Sequence, residues 1–193
     1  EIPEHHKPPM PEGAGQVHFL LATPFRYVSP TATRFRSATD PGVFYAAEEI
    51  RTACAELGYW RWRFLTESPD LSEIDWTPQT LFSTPLRAGM IDLRVPPFDA
   101  DHAHWTAEDY SATQRLAQVC RTAGVEAIRY ESVRDPEKGG CAAVLSLAAF
   151  AGRPDETRSQ NWKLWVQRHT VVWRRDSIYE RAEFVFDPRL WSR

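Results

Sequence analysis

Between Asp40 and Leu57 the chain commits to a strand followed at once by a helix, and this constrains the fold more than any other stretch. Asp40-Pro41-Gly42 has turn chemistry, because proline fixes φ and glycine accepts left-handed angles. Val43, Phe44 and Tyr45 follow as a short β-prone run, so a strand is expected to end near Tyr45. From Ala46 the period changes. Ile50, Ala53, Cys54 and Leu57 fall at i, i+3, i+4 and i+7, the apolar stripe of an amphipathic helix. Glu56 lies beside that stripe, with Ala53 and Trp60 as its helical neighbours, so its carboxylate is carried at the edge of a packed face.

Length and composition narrow the classes. A chain of 193 residues, 42% hydrophobic and 25% charged, suffices for a sizeable core and excludes wholesale disorder. The expected organisation is an irregular arm over residues 1–16, rich in proline and glycine, and one domain over residues 17–193. A formal net charge of −3 gives no basic field for nucleic acid or an anionic membrane, so direct nucleic-acid binding is not expected and any anionic ligand falls to local arginines. Cys54, Cys120 and Cys141 lack metal-ligand spacing and fit free thiols in a reducing compartment. His5 and His6 are adjacent rather than spaced as ligands on a helix face, and no metal is expected. No apolar run has the length of a membrane span and no signal-peptide core is visible, so the expected location is the cytoplasm.

The remaining elements follow from period and punctuation. Val17 to Leu21 reads as a first strand, which places Arg26, between Phe25 and Tyr27, next to a strand end. Pro69 to Pro78 reads as an acidic surface loop, Leu81-Phe82 and Met90 to Val95 as strands. A second helix is expected from an N-cap at Thr106, with Leu116, Ala117 and Cys120 inward and Gly124 as the left-handed stop. Val125 to Tyr130 and Cys141 to Leu145 read as strands, Arg153 to Asn161 as a polar loop, and alternation from Trp162 to Phe186 as three antiparallel strands. Two helices against six or seven strands predict an α+β fold with mixed or antiparallel sheets.

No GxSxG, HExxH, Walker loop or GxGxxG is present, which removes the usual support for hydrolase, zinc-protease, P-loop and Rossmann chemistry. What remains is a constellation: Arg26, Arg34 and Arg36 before the strand, Tyr45 on it, Glu56 on the helix, and Ser132 with Arg134 on a distant loop. If these line one cleft, the guanidinium groups suit a pyrophosphate, which they grip bidentately. A single carboxylate opposite such a clamp suits an anomeric carbon, where it stabilises an oxocarbenium-like transition state.

The segments Phe25-Arg26-Tyr27, Thr33-Arg34-Phe35-Arg36, Asp40 to Arg61, Ile128 to Pro136 and Gly139 to Ser146, with Tyr45 and Glu56 eleven positions apart, resemble the RES-domain family. That resemblance implies a fold similar to ADP-ribosylating toxins and a toxin that pairs with an Xre-type antitoxin in a hetero-oligomer. It further implies degradation of NAD by phosphorolysis, giving ADP-ribose 1″-phosphate and nicotinamide, with NAD and phosphate as substrates and no prosthetic group. Protein ADP-ribosylation, NAD hydrolysis and a non-catalytic interaction domain are the alternatives. Carried over by position, Arg26 and Arg34 bind the pyrophosphate or incoming phosphate, Tyr45 stacks on a ring, Glu56 faces the cationic transition state and Ser132 orients substrate through its hydroxyl. Arg36 is an alternative to Arg34, and Arg134 joins the anion-binding set.

Structural readings compete at each position. Glu56 would pair with Arg51 or Arg63 at a solvated helix edge, Tyr45 would be a core aromatic, and Arg26 would stack between its two aromatic neighbours. Ser132 would cap a turn.

Overall fold

A computed structural model describes residues 13–27 and 29–191. The fold is α+β, as the count of helical and strand patterns predicts: four α-helices and eight strands in two sheets among the described residues. The chain forms two compact units, one of residues 1–46, 84–131 and 142–154, the other of residues 47–83, 132–141 and 155–193.

The first unit contains α1 (Phe19–Arg26), most of β1 (Phe44–Ala47), β3 (Met90–Asp92), α3 (His102–Thr106), α4 (Ser111–Thr122), β4 (Ala127–Glu131) and most of β5 (Gly140–Val144). Its sheet runs in the order β1-β5-β4-β3, with β3 parallel to β4. All five residues of β5 are buried, which explains why Gly140 to Val144 is built of small and apolar side chains without alternation. α4 buries Thr113, Ala117 and Cys120 along one stripe and stops at Gly124, whose φ of 72° is the left-handed angle that glycine adopts without strain.

The second unit contains α2 (Ile50–Thr66), β2 (Glu73–Ser83), β6 (Asp155–Gln167), β7 (Thr170–Arg175) and β8 (Glu183–Phe186). Its four strands are antiparallel throughout, in the order β2-β6-β7-β8. Trp162, Leu164, Val166, Val171, Trp173 and Phe186 form its core with Cys54, Ala55, Tyr59 and Leu65 of α2 and with Trp191. Complete burial of each large side chain contributes roughly 1.5–3 kcal/mol, so this aromatic face fixes α2 firmly. The helix lies close to β7 at Gly58, where a Cβ would stand 3.0 Å from Val171 Cγ1.

Several expectations are corrected. Val17 to Leu21 is not a strand: His18 caps a helix from Phe19, its Nδ1 accepting from the Leu20 N–H at 3.3 Å. A short apolar run fits either state, and the cap decides. Arg26 therefore ends a helix. The second predicted helix starts later, at Ser111, because Asp109 rather than Thr106 accepts from the exposed N–H there, at 3.0 Å from Ser111 N. Thr106 instead closes α3, donating to the His102 carbonyl. Glu73 to Pro78 and Asp155 to Asn161, read as loops, are the ends of β2 and β6. Register pairs Leu81 with Gln160 and Ser83 with Asp155, whereas β7 pairs only with residues 162–167 of β6. Asp155 to Asn161 therefore has β2 as its one strand neighbour and stays largely exposed, which leaves little alternation to read. Glu73 to Pro78 pairs within the three-stranded part, and the register shift between Ile74 and Thr77 breaks its alternation. Of the expected arm, Ala14–Gln16 forms one 3-10 turn; residues 1–12, with His5 and His6, lie outside the described residues.

Candidate functional site

The predicted site residues fall into two clusters, Arg26, Arg34, Arg36 and Tyr45 in the first unit and Glu56, Ser132 and Arg134 in the second. In the first, Thr33 to Arg36 is a tight turn closed by two main-chain hydrogen bonds, Thr33 N to Arg36 O at 2.8 Å and Arg36 N to Thr33 O at 3.2 Å. Phe35 anchors it, fully buried with its ring 4.8 Å from that of Tyr130. Tyr45 braces it: the phenol oxygen accepts from the Phe35 N–H at 3.0 Å and lies 2.7 Å from Thr33 Oγ1. Burial of its hydroxyl end pushes this phenol above its ordinary range, against the opposing pull of those hydrogen bonds and the nearby arginines. The residue as a whole remains 38% exposed, so it is open to contact with a ligand.

The two turn arginines are not equivalent. Arg36 is buried and its guanidinium donates to the carbonyls of Ser29, Thr31 and Ser37, so it holds main chain together. Arg34 uses only Nη1, on the Trp105 and Ala107 carbonyls at 2.8 and 3.0 Å, and lies 4.8 Å from the Tyr110 ring centre. Its Nε and Nη2 make no hydrogen bond among the described residues and are not sealed from solvent. Of the pair, Arg34 alone offers a donor edge to a ligand. Arg26 lies 5.4 Å from the Tyr27 ring at the end of α1.

The second cluster is built on α2. Glu56 Oε1 accepts from Ser132 Oγ at 2.6 Å, joining residues far apart in sequence. The serine hydroxyl is fully used: it donates to the carboxylate and accepts from the N–H groups of Arg134 and Asp135 at 3.2 and 3.0 Å. Ser132 is buried, so it gives Oε1 of Glu56 a fixed partner. The loop is itself tied down. Ser132 N donates to Gly139 O, and the buried Asp135 carboxylate accepts from Thr52 Oγ1 at 2.8 Å and Arg51 Nε at 3.2 Å. Gly139 passes so near α2 that a Cβ would stand 2.0 Å from Thr52 Oγ1, so only glycine fits. Arg51 is thus committed to Asp135 and Glu137, and Arg63 to Glu67, rather than to Glu56.

Arg134 lies with its guanidinium carbon 3.6 Å from the centre of the Tyr59 ring, on the same α2 face as Glu56. Sequence reasoning missed Tyr59, Thr52 and Asp135. The helical spacing of Thr52, Glu56 and Tyr59 was a usable signal, since all three share one side of α2.

A carboxylate held in one rotamer can stabilise positive charge without reorganising, and a guanidinium with unused donors can hold an anion. Among the described residues no helix is long and apolar enough to cross a membrane. No curated protein matches the chain. The RES domain model matches residues 11–167 of the 193, in keeping with an NAD-acting enzyme of toxin-antitoxin systems. The chain belongs to the RES-domain family.

Proposed function

We propose that this protein degrades NAD by phosphorolysis and acts as a toxin restrained in the cytoplasm by an Xre-type antitoxin. The reading rests on the Glu56 carboxylate, fixed by Ser132 on a helix packed into an aromatic core. In this reaction the bond between the ribosyl anomeric carbon and the nicotinamide nitrogen breaks, and its electron pair goes to the nitrogen, which leaves neutral. A phosphate oxygen forms the new bond to that carbon. Nicotinamide needs no general acid, because it starts cationic; what the protein must supply is negative charge beside the oxocarbenium-like carbon. Glu56 supplies it, and Ser132 is its positioning residue. In the first unit, taken by itself, Arg34 keeps an unused donor edge of the kind that suits a phosphate oxygen, on the turn that Tyr45 holds.

The test is to incubate purified protein with NAD, with and without inorganic phosphate, and to resolve the products. Turnover that requires phosphate and yields ADP-ribose 1″-phosphate supports the reading. Equal turnover in phosphate-free buffer, or label transferred to protein, replaces it with hydrolysis or ADP-ribosylation. Co-expression with and without an adjacent antitoxin tests the restraint: growth unaffected by the chain alone would remove the toxin assignment.

A further inference from the structure

Arg134 is a cation whose surroundings are complete in every respect but one. Its main chain is pinned on both sides, the N–H by Ser132 Oγ and the carbonyl by Trp191 Nε1 at 2.7 Å. Its guanidinium is planted on Tyr59. The residue is only 8% exposed, yet none of its side-chain N–H groups finds an acceptor among the described residues. The acid next to it in sequence is already taken, since Asp135 accepts from Thr52 and Arg51. Meanwhile Arg121 Nε and Trp173 Nε1 are the fully enclosed unpartnered side-chain nitrogens among the described residues, so the Arg134 donors open to solvent. A guanidinium so largely covered, with donors that reach solvent and find no acceptor among the described residues, offers those donors to an arriving anion.

We propose that Arg134, stacked on Tyr59, is the seat of inorganic phosphate, the attacking nucleophile of the reaction above; the proposal rests on that reading. With Arg134 only 8% exposed, a compact tetrahedral oxyanion is the anion best suited to it, and the planar fork of arginine matches two of its oxygens. Tyr59 and Glu56 lie three residues apart on α2, so phosphate on Arg134 sits one helical position from the carboxylate that faces the developing cation. Hydrogen phosphate then forms an oxygen–carbon bond as the carbon–nitrogen bond breaks, and keeps its proton until the ester ionises in solvent. A phosphate held there takes the place that water would otherwise occupy, which makes Arg134 the residue that selects phosphorolysis over hydrolysis.

The experiment has two arms. In the first, inorganic phosphate alone is titrated into the unaltered protein, Arg134→Gln and Arg134→Lys, followed by phosphorus NMR or calorimetry, with melting temperatures recorded. Arg134→Gln is expected to weaken phosphate binding by at least about tenfold, and Arg134→Lys, which keeps the charge and loses the fork, by less. Unaltered phosphate affinity in folded Arg134→Gln overturns the proposal; if that variant does not fold, Arg134→Lys binding phosphate as the unaltered protein does is the overturning result. In the second arm, KM for phosphate and for NAD are measured separately. A rise confined to phosphate, with ADP-ribose appearing as product, supports the assignment, whereas a rise confined to NAD assigns Arg134 to the dinucleotide and overturns it. Phosphate-independent turnover by the unaltered protein defeats the phosphorolysis reading itself, and is distinguished by needing no variant.

Discussion

The turn at Thr33–Arg36 and the loop at Ser132–Gly139 both present arginines on short, tightly braced segments, yet they treat them in opposite ways. In the turn, main-chain carbonyls accept three hydrogen bonds from both terminal nitrogens of Arg36, and two from a single terminal nitrogen of Arg34. In the loop, the Arg134 guanidinium meets an aromatic face and, among the described residues, no acceptor. A guanidinium ringed by carbonyls is a structural cross-link, and one resting on a ring is a charge waiting for a partner. The composition of the two segments conceals that difference; the accounting of acceptors exposes it.

The comparison can be broken most decisively at Glu56. Glu56→Gln keeps an acceptor for Ser132 and removes the charge, so kcat for NAD consumption should fall by about 10²–10³ with little change in melting temperature. A variant that still depletes NAD at the original rate takes Glu56 out of the mechanism. Next is Arg36→Met, which strips donors from three carbonyls: we expect a loss of about 3 kcal/mol in urea unfolding and no selective change in KM. Ser132→Ala strands the N–H groups of Arg134 and Asp135 and frees the Glu56 rotamer, so stability should drop by about 2 kcal/mol together with kcat. Arg34→Lys sharpens the contrast from the other side, raising KM for NAD about tenfold while the fold holds, because lysine cannot serve the carbonyls and a ligand at once.

The smallest effect is alkaline. Burial pushes the Cys54 thiol from 9.0 to about 12, so the folded state keeps a proton that the unfolded chain releases. Stability is intact below pH 9.0 and declines as pH rises toward about 12. The loss is under about 1 kcal/mol near pH ~9.5, and Cys54→Ala should flatten that limb of the unfolding curve.

How much of this was legible varies with the kind of contact. The strand at Phe44, the helix that carries Glu56, the Gly124 stop and the buried run from Gly140 are local in cause, and their sequence signals are strong. The first strand that proved a helix turned on one capping imidazole at His18. The outer part of β6, Asp155 to Asn161, is a strand through its pairing with β2, and its residues alone look like loop. At the site, residue types and family motifs named Glu56, Ser132 and Arg34, but not that the serine hydroxyl is spent on the carboxylate, nor that Tyr59 is the platform for Arg134.

By itself, then, the sequence determined the class of fold, the family and the chemical kinds of side chain on hand, because periodicity, turn residues and motif spacing are properties of neighbours along the chain. Which arginine has donors to spare was decided only when segments distant in sequence came together and their carbonyls, rings and hydroxyls claimed partners. Hydrogen-bonding capacity is finite, and the fold alone settles how it is shared.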